Sequence, residues 1–145
     1  MRTGIAVFVG ALIVVCIVFA AIPHLAAPDW TVTVVDLAGR PVRGERVREV
    51  YRDYSCDAND HEITKSTDKS GRVHFEPQYE HRNLFECLMY TISASGAGVH
   101  ASFGRAGYVF AFGDRGEGAP IDARGNSETW TGSPQQLKSQ IAIKY

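Results

Sequence analysis

Residues 4–22 are the longest uninterrupted apolar run in the chain, with no charged or strongly polar side chain among them. At about 1.5 Å rise per residue, a helix of that length just reaches across a hydrocarbon layer of roughly 30 Å. Beyond it the pattern changes to short apolar runs of period two, separated by Gly, Pro, Asp and Asn. Residues 31–36 read Thr-Val-Thr-Val-Val-Asp and predict a strand. Residues 42–55 and 61–66 predict two more, joined by the polar connection 57–60. Residues 72–75, Arg-Val-His-Phe, alternate as a half-buried strand does. Residues 84–94, the longest apolar-rich stretch after the leader, predict a central strand. Residues 99–103 and 108–112 predict a hairpin closed through 104–107. Residues 113–134 show little periodicity, and such a long connection is functional or poorly ordered. Residues 137–145 alternate through Ile141 and Ile143 as a closing strand. Seven or eight short strands without an amphipathic helix predict an all-β fold, an antiparallel β-sandwich following one N-terminal transmembrane helix. The division is 1–27 for the leader and 28–145 for the sandwich domain.

The leader admits two readings. A cleavable signal has a positive start, a shorter apolar core and a small-x-small cut site. Arg2 supplies the charge, but bulky Leu25 stands three before Ala27, and Pro28 follows that cut. The uncleaved anchor is the preferred reading, with the lipid bilayer as partner of residues 4–22. It predicts a single-pass membrane protein with its C-terminal domain outside the cytoplasm, or a secreted one if the leader is removed. His24 then reads as a polar boundary residue, and Trp30 as an interface anchor or the start of the first strand.

Charge narrows the function classes. The net charge is −1, and the arginines are scattered, which gives no nucleic-acid footprint. Arg40, Arg43, Arg46, Arg48 and Arg52 are interrupted by Glu45, Glu49 and Asp53. They read as a solvated strand face, with an anionic headgroup or polymer contact as the alternative. Of the three cysteines, Cys56 and Cys87 lie outside the leader. In an oxidising compartment they are a candidate disulfide; two separate buried thiols are the alternative.

Two runs carry more than strand patterning. One, over residues 35–47, reads Val-Asp-Leu-Ala-Gly-Arg-Pro-Val-Arg-Gly-Glu-Arg-Val. The other, over residues 67–75, reads Thr-Asp-Lys-Ser-Gly-Arg-Val-His-Phe. Together they resemble the carboxypeptidase regulatory-like family, a transthyretin-like (prealbumin-like) β-sandwich. The resemblance covers residues 31–75; Glu45, where a small residue is usual, and the glycine-rich second half depart from it. It implies turns at Gly39 and Gly71, a core containing Val47, Val73 and Phe75, and an adhesion, glycan-contact or assembly role. It carries no catalytic residue across.

Chemistry-bearing patterns are weak. Residues 96–101 match the dinucleotide fingerprint in letters but are followed by strand and turn residues, where the phosphate site needs a helix. His61, Glu62, His74, Glu76 and His81 lack the short fixed spacings of zinc ligands, and His74 reads as facing solvent. Asp53, Asp57 and Asp60 cluster at one hairpin as calcium ligands do, or simply as a polar turn. Ser93 and Ser95 near His100 have no nucleophile elbow. The expectation is a membrane-anchored binding or scaffolding module outside the cytoplasm, without cofactor, metal or catalysis, contacting an envelope protein or glycan. The candidate contact surface is Phe103, Tyr108, Phe110, Phe112 and Trp130, beside the 113–134 loop, with core packing of the hairpin aromatics as the alternative. The alternative is a cleaved secreted enzyme or metal-dependent protein with a site dispersed over loops.

Overall fold

The structure, a computed structural model, describes residues 2–96, 98, 102–112 and 127–143. Its elements are α1 (Arg2–Phe19), β1 (Ile22–Ala27), β2 (Asp29–Asp36), β3 (Arg46–Asp53), β4 (His61–Ser66), β5 (Arg72–Phe75), β6 (Gln78–Arg82), α2 (Leu84–Ser95), β7 (Arg105–Ala111), β8 (Ser127–Trp130) and β9 (Gln136–Ile143). The strands form a β1-β6 pair, a three-stranded sheet β5-β2-β9 and a four-stranded sheet β4-β3-β7-β8. The mostly-β, antiparallel character is as expected, with one exception: β9 runs parallel to β2 along its whole length.

The two larger sheets share one core. Alternation puts Trp30, Val32 and Val34 of β2, Val73 and Phe75 of β5, and Ile141 and Ile143 of β9 inward. They meet Val47 of β3, Val109 and Ala111 of β7, and Trp130 of β8. Each tryptophan has a partner for its indole N–H, which a buried ring requires. Trp30 donates to Ser139 Oγ at 2.8 Å and Trp130 to the Pro134 carbonyl at 2.7 Å. Trp30 is therefore a core residue, not an interface anchor.

Two turns set the register of the first half. Asp36 accepts the Ala38 and Arg40 amides, and Asp68 accepts those of Ser70 and Arg72. Gly39 and Gly71 complete the turns with φ of +79° and +72°. They differ in surroundings. A Cβ on Gly71 would stand 2.6 Å from the Val34 carbonyl oxygen, whereas none would meet anything within 4 Å at Gly39. Gly39→Ala should therefore cost about 1 kcal/mol, for the left-handed backbone alone. Gly71→Ala should cost about 2 kcal/mol, since backbone must also move. Urea denaturation of the two variants checks the order.

Four sequence expectations are corrected. Residues 4–22 do not make a membrane-crossing segment: among the described residues no helix is long and apolar enough to cross a membrane. The single-pass location built on that segment falls with it. The apolar run is divided, because Pro23 lacks an N–H and disfavours helix at Ile22. α1 stops at Phe19 after 18 residues, about 27 Å, and Ile22 already pairs with Arg82 in β1-β6. β1 also belongs to the folded body, since Leu25 joins the shared core, so residues 22–27 are not leader. Residues 84–94 are helix, not strand; Asn83 accepts the Glu86 amide at 2.8 Å while Glu86 reaches back to the Asn83 amide, a reciprocal cap. Lastly, residues 105–111 run straight through as β7, so no turn closes a hairpin at 104–107; residues 99–101 lie outside the described residues, as do 113–126 of the long connection.

Candidate functional site

Alternation sorts β3 into two faces. Val47, Glu49, Tyr51 and Asp53 are buried toward the interior, whereas Arg46, Arg48, Val50 and Arg52 occupy the outer face. The antiparallel register sets Arg48 opposite Phe110 and Val50 opposite Tyr108 on β7. Arginines and rings thus interleave on one side of the sheet. The Arg48 guanidinium lies 4.9 Å from the centre of the Phe112 ring and 6.0 Å from that of Phe110. Arg46 lies 4.9 Å over Phe112 as well, and Arg52 lies 4.7 Å over Tyr54. Tyr108 stacks on Phe110 at 6.0 Å, and Phe110 meets Phe112 at 5.2 Å. β4 frames the strip with acceptors: Glu62 lies 2.9 Å from Arg48, and Asp60, just before it, 3.5 Å from Arg52.

Such an arrangement seats each guanidinium over a ring. Arg48 also donates to Thr64 Oγ1 and Arg52 to the Asp57 carbonyl. The N–H donors that remain on each five-donor guanidinium can meet a carboxylate, sulfate or phosphate. Tyr108 is 44 % exposed and offers an open ring face. Its hydroxyl titrates above the ordinary tyrosine range, through partial burial and the charges of Asp60 and Glu62. Beside it lies a small hollow of about 80 Å³, lined by Val50, Arg52, Tyr54, Asp60 and Tyr108 among others.

Of the expected surface residues, the structure places Tyr108 and Phe110 together on this strip. Phe103 stands exposed ahead of β7. Trp130 does not belong to the surface: it is 1 % exposed and fills the core from β8. Phe112, also expected on the surface, is only 8 % exposed and lies beneath Arg46 and Arg48. The two arginines, expected as part of a solvated strand face, stand on the same side as Tyr108 and Phe110.

A second polar cluster ties β3-β4 to β6. His61 Nε2 lies 2.7 Å from Asp57 Oδ2 and 3.2 Å from Glu80 Oε1. The Arg82 guanidinium holds the same two carboxylates, Asp57 at 2.6 Å and Glu80 at 3.3 Å. Burial pushes the Asp57 carboxyl up, but the His61 hydrogen bond, the Asn59 amide and the Arg82 charge together hold it below the usual range. An imidazole and two carboxylates within 4.8 Å of one another are a donor set a metal ion can use. Here a guanidinium already bridges both carboxylates, so the cluster acts as an ion-paired cross-link. Of the histidines and glutamates considered as ligands from sequence, only His61 takes part; His74 sits by Thr31 and Asp29 on the other sheet.

Next to this cluster a cleft of about 220 Å³ opens between β1 and the start of α2. Its polar wall includes His24, 3.5 Å from Asp53, and Arg105, which donates to the Leu25 carbonyl at 2.8 Å. Its lining includes both cysteines of the Cys56–Cys87 disulfide, now formed as the even cysteine count suggested. His24 is thus packed in the body, not at a membrane boundary. The described residues lining the cleft beside the His24–Asp53 contact include no serine or threonine hydroxyl.

No protein-family model matches the chain, and no curated protein matches it.

Proposed function

We propose that this chain is a binding or scaffolding module, without catalysis of its own. Its contact surface is the outer face of β4-β3-β7-β8, and its partner is an acidic polysaccharide. One observation carries the reading: three arginines, each lying over an aromatic ring, share that face with the stacked rings of Tyr108 and Phe110. Guanidinium donors suit the acidic groups of such a polymer, and flat ring faces suit its sugar rings. The body is read as a sandwich of the carboxypeptidase regulatory-like kind. In support, Gly39 and Gly71 occupy turns and Val47, Val73 and Phe75 occupy the core, as that resemblance implies.

The test compares the chain with an Arg46→Ala, Arg48→Ala, Tyr108→Ala variant by affinity electrophoresis. The gels contain dextran sulfate, a polyuronate or neutral dextran. The acidic polymers should retard the chain, less so as salt rises, and the variant should bind roughly tenfold more weakly, from a few contacts of about 0.5 kcal/mol each. Equal retardation of chain and variant would rule this face out; retardation by neutral dextran alone would rule out the charge argument.

A further inference from the structure

The second helix is mounted the wrong way round for a globular body. A surface helix ordinarily turns its apolar stripe to the core and its polar side to water. In α2 the side held to the body carries Cys87, bonded to Cys56, and Thr91, whose hydroxyl donates to the Ser55 carbonyl at 3.4 Å. Leu84, Phe85, Leu88, Met89 and Ile92, at helical spacings of three and four, form a stripe on the remaining surface, each 43–58 % exposed. No residue of α2 is buried. The stripe continues onto α1, because Phe19 stacks on Phe85 with ring centres 5.2 Å apart. The large apolar side chains of α1 other than Val18 stand 46–71 % exposed on every side.

We infer that α2, with the adjoining end of α1, docks on a lipid surface and lies along it. The occupant follows from the shape of the apolar area. A second copy or another protein covers one stripe of a helix; α1 is apolar all round, so one such contact leaves most of it in water. Acyl chains surround a helix from every side they reach. Sinking to the depth of a whole helix, about 10–12 Å, covers every side of α1. That is well short of the roughly 30 Å of a hydrocarbon layer, so neither helix has to cross. The reciprocal Asn83–Glu86 cap keeps α2 helical from its first turn, where the apolar stripe begins at Leu84. This inference is independent of the polysaccharide face, which is built from β3 and β7.

The experiment uses the full chain with phosphatidylcholine vesicles carrying brominated acyl chains, and an Ile92→Trp reporter. Trp30 and Trp130 are buried, so quenching reports the introduced ring. The reporter should be quenched on adding vesicles, and the chain should float with them. A Leu88→Glu, Met89→Glu variant should partition roughly tenfold more weakly, with its disulfide and circular dichroism retained as evidence of folding. Absence of quenching overturns the inference. So does flotation that the folded double variant leaves unchanged, since α1 alone would then be the contact. Concentration-dependent dimerisation that shields the introduced indole from vesicles would overturn it in favour of a second copy.

Discussion

Replacing both cysteines, Cys56→Ser with Cys87→Ser, should lower the unfolding free energy by about 3.5 kcal/mol. The bond links residues 31 positions apart, and closing a loop of that size removes this much chain entropy from the unfolded state. The loss is a large share of the roughly 5–15 kcal/mol that separates folded from unfolded in most domains. It should lower the melting temperature by about 10 °C. The effect should also be uneven in space. α2 contributes nothing to the buried core, and besides the disulfide it is joined to the sheets by the long Thr91–Ser55 hydrogen bond. Amide exchange in 84–95 should therefore rise well before exchange in β2 and β3. Urea denaturation of oxidised chain and variant, followed by hydrogen exchange, tests both parts. A stability change below about 0.5 kcal/mol would contradict the first part; retained protection across α2 would contradict the second.

The same helix marks the limit of what residue patterning carries. Strand patterning was legible wherever one face is buried and the other wet, as in β2 and β5, because a period of two leaves a direct trace. α2 left no such trace: its apolar residues never face the core, so the run looked like a doubly buried strand. The signal that would have separated the two was present in Asn83 and Glu86, three apart at the head of the run. The parallel pairing of β2 with β9 had no local signal, because it joins residues more than a hundred positions apart. At the outer face, Tyr108 and Phe110 could be picked out as aromatics beside a loop. Their union with Arg46 and Arg48 depended on the β3-β7 register, which sequence alone does not set. Trp130 departs from expectation for the converse reason: the loop-like composition around it masks the four residues of β8 that carry its ring inward.

The stability gained through Glu49→Gln should be about 3 kcal/mol larger at pH 8 than at pH 4. Alternation already puts this glutamate inward, between Val47 and Tyr51. The structure adds that it is fully buried and that neither carboxylate oxygen has a hydrogen-bond partner. It lies opposite Ile63 on β4 and Val109 on β7. The opposing charge it feels is that of Lys65, whose ammonium donates instead to the His74 carbonyl at 3.0 Å. Burial pushes the Glu49 carboxyl from 4.5 to about 7, with Lys65 offsetting only part of the rise. The folded chain therefore holds a proton that the unfolded chain releases near pH 4.5. The stability this contributes is fully present below pH 4.5, declines as pH rises toward 7, and is gone above it. A raised value of that size corresponds to about 3 kcal/mol across the window. Glutamine is neutral throughout, so its curve should lack this slope. An unpaired amide in the same place adds a cost that does not vary with pH, and the lowered carboxyls of Asp36, Asp57 and Asp68 act alike in both proteins. The difference between the two proteins, read by urea denaturation at pH 4, 6 and 8, isolates Glu49. Parallel stability curves across that range would mean the carboxylate finds a counter-charge or water when it ionises.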